Sequence, residues 1–236
     1  MKVSKIVAVG LVSASFIGAT NTTFAAVTSQ AESKAGVSFT PGSGPVTPVD
    51  PTDPTNPLDP IGPTDPTDPP TGETGSLTLD YVSSVQFGSK EISGSAMTYS
   101  SKSKKPFIQV SDRRGTGNGW KVTAKASQFK SGSSDTLPGA VLTFKNGTAV
   151  SPGDGAAPNP AQTITLNTDG STAATVVTAA AGTGLGTWVT TWLGPNPDVN
   201  DGAENNNVTL TIPGGSATVG NHEAVVTWTL LDAPGV

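Results

Sequence analysis

Four tryptophans, a pair of arginines and one acidic loop are the residues of this chain whose types and spacing suit chemistry. Trp120 is followed two residues on by Val122, and Trp228 by Leu230. Positions i and i+2 of a strand share a face, so each pair sets an indole beside an aliphatic side chain. Trp188 and Trp192, four apart, share a face in the same way. An indole so placed either fills a core, with one partner for its N–H, or stands out and stacks on the apolar face of a sugar. Asp112-Arg113-Arg114 leads into the glycine-rich run Gly115-Thr116-Gly117-Asn118-Gly119. Guanidinium groups there can pair with carboxylates or phosphates of a bound polymer, or brace a tight turn against Asp112.

Catalytic constellations are not legible. The chain has no cysteine, which excludes thiolate catalysis, cysteine metal sites and disulfide staples. His222 is the only histidine, so a zinc site of the usual composition cannot form, and no histidine-dependent triad is persuasive around it. Asp198, Asn200, Asp201 and Glu204 surround Gly202 in a way that superficially suggests calcium, but the spacing does not match an EF-hand and reads as a solvated hairpin loop. Glycoside hydrolysis needs two placed carboxylates, and nothing in the sequence pairs two in a shielded pocket. The glycine run lacks the lysine and following helix of a phosphate-cradling loop. A formal net charge of −5 leaves no basic footprint for nucleic acid. Binding without catalysis, cofactor or metal is the expectation.

The elements that must position these residues are strands. Only 13% of residues are charged, and threonine, serine and valine dominate. Alternation predicts strands over 76–82, 107–110, 119–126, 140–145, 162–166, 173–179, 187–193, 208–212 and 224–231, separated by turn residues such as Asn146-Gly147. Residues 179–185 read as a loop or a short helix. The pattern implies an all-β domain, a single sandwich or barrel. In the last strand Val226, Trp228 and Leu230 share one face, while Val225, Thr227, Thr229 and Leu231 share the other. Its apolar character predicts cover on both sides for part of its length, and closure of the core by this strand.

Ahead of the domain, Lys2 and Lys5, an apolar run from Ile6 to Ala19, and Ala25 predict a signal peptide over residues 1–25. Residues 26–72 read as a disordered leader and a spacer, and the β domain as 73–236. The spacer has a proline at every third position from Pro45 to Pro69, the period of polyproline II, which predicts a semi-rigid extended rod of roughly 75 Å. Asp50, Asp53, Asp59, Asp65 and Asp68 would form an anionic edge along it.

Three blocks carry a resemblance: Val110 to Val122 with its Arg113-Arg114 and Trp120-Lys121-Val122, then Gly139 to Phe144, then Val226 to Pro234 with Trp228-Thr229-Leu230. In this order they resemble the successive signatures of the WxL-domain family, surface proteins of low-GC Gram-positive bacteria, over roughly residues 76–236. The proximal triplet departs from the family in having valine where leucine is usual. The resemblance implies a secreted protein retained on the cell wall without a covalent tether, with peptidoglycan as ligand. Its contacts would come from Trp120, Val122, Trp228, Leu230, Arg113 and Arg114. It further implies other surface proteins as partners, among them membrane-anchored proteins that interact with WxL domains. The alternative is a structural or adhesive subunit that binds another surface protein and reaches the wall indirectly. No transmembrane segment is expected after signal cleavage, and the sequence shows neither a sorting motif nor a lipid-carrying cysteine.

Overall fold

The computed structural model describes residues 29–58 and 62–232. The expected signal peptide lies outside the described residues, as do Asp59 and Pro60 of the repeat and Pro234. Residues 29–38 are exposed and without regular structure, and from Phe39 onward the chain forms one compact unit. The unit therefore begins well before residue 73.

The described residues contain fourteen strands and no helix, joined by turns and loops. They are β1 (Leu77–Val82), β2 (Met97–Ser101), β3 (Phe107–Asp112), β4 (Trp120–Ala126), β5 (Phe129–Ser131), β6 (Ser134–Thr136) and β7 (Val141–Lys145). There follow β8 (Thr148–Val150), β9 (Asn159–Pro160), β10 (Thr163–Asn167), β11 (Ala174–Ala179), β12 (Gly186–Thr191), β13 (Asn205–Ile212) and β14 (Val226–Leu231). They form three four-stranded antiparallel sheets, in the orders β1-β3-β12-β8, β10-β7-β13-β2 and β14-β4-β11-β9, plus the small hairpin β5-β6. The all-β class holds, with three sheets packed on one core. That core draws Leu79, Ile108 and Trp188 from the first sheet, Phe144, Ile164, Leu166 and Val208 from the second, and Trp120, Val122 and Val176 from the third.

The proline repeat is folded onto the domain and does not run as an extended rod. Each Asp-Pro-Thr unit is a turn signal, because an aspartate can hydrogen-bond its own chain two residues on. Asp50 accepts from the N–H (2.8 Å) and hydroxyl (2.6 Å) of Thr52, and Asp53 accepts in the same way from Thr55. These turns bend the chain until Leu58 N–H reaches the Pro48 carbonyl at 2.9 Å. The strap so formed covers the outer side of the first sheet, where Val49 and Leu58 pack on Tyr81, Phe107 and Val189. Strand β3, covered on both faces, is buried along its whole length. Its Gln109 binds the strap as a strand backbone would, accepting from Val49 N–H at 2.8 Å and donating to the Thr47 carbonyl at 3.2 Å.

The last strand is an edge. Among the described residues β14 pairs only with β4, and exposure alternates along it, with Val226, Trp228 and Leu230 half-buried and the residues between them open. Cover on both sides, expected from its apolar composition, is absent because no layer of the described chain packs on the outer face. Residues 180–185 are a glycine-rich loop, with Gly182 and Gly184 at positive φ, which settles the loop-or-helix choice.

Candidate functional site

The two triplets lie side by side. In the β4–β14 register Leu230 faces Val122, Trp228 faces Ala124 and Thr229 faces Thr123. All four apolar members of the triplets point into the core, while Lys121 and Thr229, the residues between them, point out.

Trp120 and Val122 are sealed, at 1% and 0% exposure, so neither can touch a ligand. The Trp120 indole N–H donates to the Gly184 carbonyl at 2.9 Å. A glycine is required there: its φ is +71°, and a Cβ would stand 2.7 Å from the indole nitrogen and 2.6 Å from Ala179 Cβ. Trp188 and Trp192 also belong to the core, and Trp188 donates to Leu185 O at 2.9 Å. The sequence left core and contact roles open; for these three rings the core role holds, because the other two sheets cover the face they occupy.

Trp228 stands at the border of that core. Its ring meets Phe144 edge-on (centroids 5.9 Å, 72°) and leans on Trp192 (6.0 Å, 33°), so both neighbours are aromatic. Its open side lines two clefts. One, of about 500 Å³, runs along the seam between β14 and β1, and is walled by Leu77, Leu79, Trp228, Leu230, Glu73 and Arg114. The other, of about 1070 Å³, lies under the loops 83–92 and 217–224 and is lined by Phe87, Phe129, Phe144 and Leu210.

Both arginines are committed to the fold. Arg114 makes a two-pronged pair with Asp112 (Nε–Oδ1 2.9 Å, Nη2–Oδ2 2.7 Å), donates to the Gly119 carbonyl at 2.8 Å and also pairs with Asp232. Its hydrogen bond with Asp112, against the opposing effect of burial, holds the guanidinium pKa above its ordinary value. Arg113 reaches the carbonyls of Gly75 (2.8 Å) and Gly44, tying the chain ahead of the strap to the domain. They brace turns, one of the two roles open at the level of sequence, and only Arg114 also borders a cleft.

The acidic loop holds cations supplied by the protein itself. Lys104, 1% exposed, drives its ammonium into the loop and donates to Asp201 Oδ1 (2.6 Å), Val199 O (2.9 Å) and Asn196 O (3.2 Å). Hydrogen bonds from Asn196 and then Lys104 hold the Asp201 carboxyl far below the usual range. Lys105, also buried, pairs with Asp50 of the strap and with Asp198. The loop is thus more than a solvated hairpin. Among the described residues no group of three or more His, Asp or Glu side chains is placed to hold a metal ion. His222 braces a loop, with Nδ1 3.0 Å from the Thr136 hydroxyl and Nε2 2.8 Å from Thr218 O.

A surface that the tryptophan-centred reading passed over lies on the other side of the same sheet. Cross-strand rows there are Leu231–Lys121–Thr178–Asn159, Thr229–Thr123–Thr175 and Thr227–Lys125. It carries hydroxyls and two ammonium groups, and none of its residues is a carboxylate. The strict alternation of β4 was the available signal, since it puts Lys121, Thr123 and Lys125 together opposite the tryptophan.

A family model described as WxL domain, surface cell wall-binding, matches residues 26–234. No curated protein and no solved structure matches the chain.

Proposed function

The chain belongs to the WxL-domain family, and from this we propose that it holds to the wall non-covalently by binding peptidoglycan through the outer face of the β14-β4-β11 sheet. It is a cell-surface protein carried on the wall, in a family of wall-binding domains and not of enzymes. The observation that carries the reading is the row structure of that face. Lys121 and Lys125 stand among Thr123, Thr175, Thr227 and Thr229, and neither lysine has a carboxylate partner among the described residues. Peptidoglycan offers hydroxyls and amides along its glycan and carboxylates on its stem peptides, which are the acceptors that hydroxyls and ammonium groups seek. The inward Trp120, Val122, Trp228 and Leu230 act at one remove: they fix the sheet that displays the residues between them. Membership of a surface complex with other wall proteins fits the same placement, since this face covers only one side of the domain.

The test is co-sedimentation of the protein with washed peptidoglycan. The double reversal Lys121→Glu/Lys125→Glu is expected to lose binding at least about tenfold while keeping the wild-type unfolding midpoint, because both side chains leave the core untouched. Raising salt to about 0.5 M is expected to weaken wild-type binding. Undiminished sedimentation of the double variant would place the wall contact elsewhere. Failure of the wild type to sediment with bare wall, with recovery on walls that retain their proteins, would favour attachment through a protein partner.

A further inference from the structure

The seam beside Trp228 has a donor that fits it in the same sequence. Just beyond the end of β4, Ser127 N–H donates to the carbonyl of Val225, the residue before β14, at 2.8 Å, which fixes the phase of the antiparallel ladder. Thr227, Thr229 and Leu231 therefore exchange bonds with β4, while the N–H and C=O groups of Val226, Trp228 and Leu230 point away from it. Among the described residues no strand takes up those groups. Strand β1, on the far side of the seam, has its outer edge closed: Asp80 O accepts from Thr71 N–H (2.9 Å), Leu79 O accepts from the Thr71 hydroxyl (2.6 Å), and Leu79 N–H donates to Glu73 (3.2 Å). One edge is protected and the other is left open, over a cleft whose apolar patch is Leu77, Leu79, Trp228 and Leu230 and whose polar rim is Glu73, Arg114 and Asp232.

Gly36-Val37-Ser38-Phe39-Thr40 has strand character, with apolar residues two apart, and it is ended by Pro41. Val37 and Phe39 are 79% and 87% exposed, two large apolar side chains at strand spacing where the compact unit begins. Lys34 lies three residues before Val37 and Glu32 two further out, while the cleft rim carries Glu73, which has no cationic partner among the described residues. Gly42, three residues after Phe39, is held by its N–H to Arg113 O at 3.2 Å, so the segment hangs from a fixed point of the domain.

We infer that residues 36–40 of one copy add as a strand to the open edge of β14 in a second copy, with Val37 and Phe39 entering the seam and Lys34 reaching Glu73. Main-chain bonds to Trp228 and Leu230 supply the affinity, and the two alternate side chains supply the register. Each copy has one donor and one acceptor, at different places on its surface. The contact is therefore heterologous and builds chains of copies, not closed pairs. The inference is independent of which face binds the wall.

Because the chain has no cysteine, single cysteines report the contact cleanly. Val37→Cys and Ser76→Cys proteins, mixed and oxidised, are expected to yield the crossed dimer, and the double variant a ladder of multimers. Replacing Ser76→Cys by Ser171→Cys, on an exposed turn away from the seam, is expected to give neither. In the cysteine-free protein, Phe39→Asp is expected to weaken self-association by about 10- to 100-fold in sedimentation velocity, with an unchanged melting curve. A mixture that forms no more crossed dimer than the Ser171→Cys control would overturn the assignment. So would a double variant that closes only within its own chain, or a Phe39→Asp protein that still associates.

Discussion

Truncating the two triplet tryptophans one at a time separates a core role from a border role. An indole buries about 150–250 Å², which at about 25 cal/mol per Å² is worth ~4–6 kcal/mol before the compactness of the unfolded chain trims it by about 10–40%. Trp120 is almost wholly enclosed and also satisfies the Gly184 carbonyl, so Trp120→Ala is expected to cost about 3–5 kcal/mol. Trp228 is half-buried at an edge strand, with Phe144 and Trp192 as its aromatic neighbours, so Trp228→Ala is expected to cost about 2 kcal/mol. For a domain of this size each kcal/mol moves the melting temperature by roughly 2–4 °C, which separates the two variants clearly. Urea unfolding followed by circular dichroism measures both, with Trp120→Phe as the intermediate that keeps a ring and loses the N–H. A Trp120→Ala protein within about 1 kcal/mol of wild type, or one less affected than Trp228→Ala, would refute the placement of Trp120 at the centre of the fold.

Other consequences are as direct. Gly184→Ala is expected to lower the melting temperature because the new methyl meets the indole and Ala179 at positive φ, and a destabilisation as large as that of Trp120→Phe or larger is anticipated. Limited proteolysis with mass mapping is expected to cut first within residues 29–38 and to spare 45–58 until the domain unfolds; early cuts at the Asp-Pro-Thr turns would show that the strap is not bound. Lowering pH from about 5 toward 2 is expected to lower the melting temperature. At Asp50 burial pushes the carboxyl up, but bonds from Thr52 and Lys105 outweigh it, and lysine bonds lower Glu204, so both stabilise above the ordinary carboxylate range and cease to as they protonate. Asp65, raised by burial, acts in the opposite sense, and Lys105→Met is expected to flatten the acid slope. An unchanged slope in that variant would sink the strap–lysine account.

Much of this architecture can be read from alternation, and its failures have physical reasons. Nine strands were legible because one side of each is dry. The missed β2, β5, β6, β8 and β9 are short or lie at edges, with serine and threonine where the pattern needs apolar residues. The repeat does not run as a rod because Asp50 and Asp53, each two before a threonine, set turns where proline spacing alone fits polyproline II, and the decisive partners Lys105 and Gln109 are about fifty residues away or more. A buried lysine such as Lys104 leaves no local signature, since its acceptors on the 196–201 loop come together only through folding. The triplets were recognisable, but their direction was not. Whether Trp120 faces ligand or core depends on what covers its side of the sheet, and that cover is built from β7, β10 and β12, remote in sequence.

Wall binding through a flat face and chaining through an edge strand make a joint demand on experiment. A face of threonines and two lysines, exposed to water and salt, can hold a polymer only weakly per copy, since each contact replaces a hydrated one. Copies linked through residues 36–40 would bring many such faces to one wall strand, and linked sites can gain about 10²- to 10⁴-fold over a single one with no new contact. Phe39→Asp is therefore expected to loosen retention on sacculi at low protein concentration although no residue of the Lys121–Lys125 face has changed. The isolated single-site affinity, measured on soluble peptidoglycan fragments by calorimetry, is expected to stay as in wild type. Lys121→Glu/Lys125→Glu is expected to lose both quantities while its self-association stays intact. If Phe39→Asp instead lowers the affinity for fragments, the segment touches the wall itself and the two surfaces are one; if it leaves retention on sacculi unchanged, chaining contributes nothing to attachment.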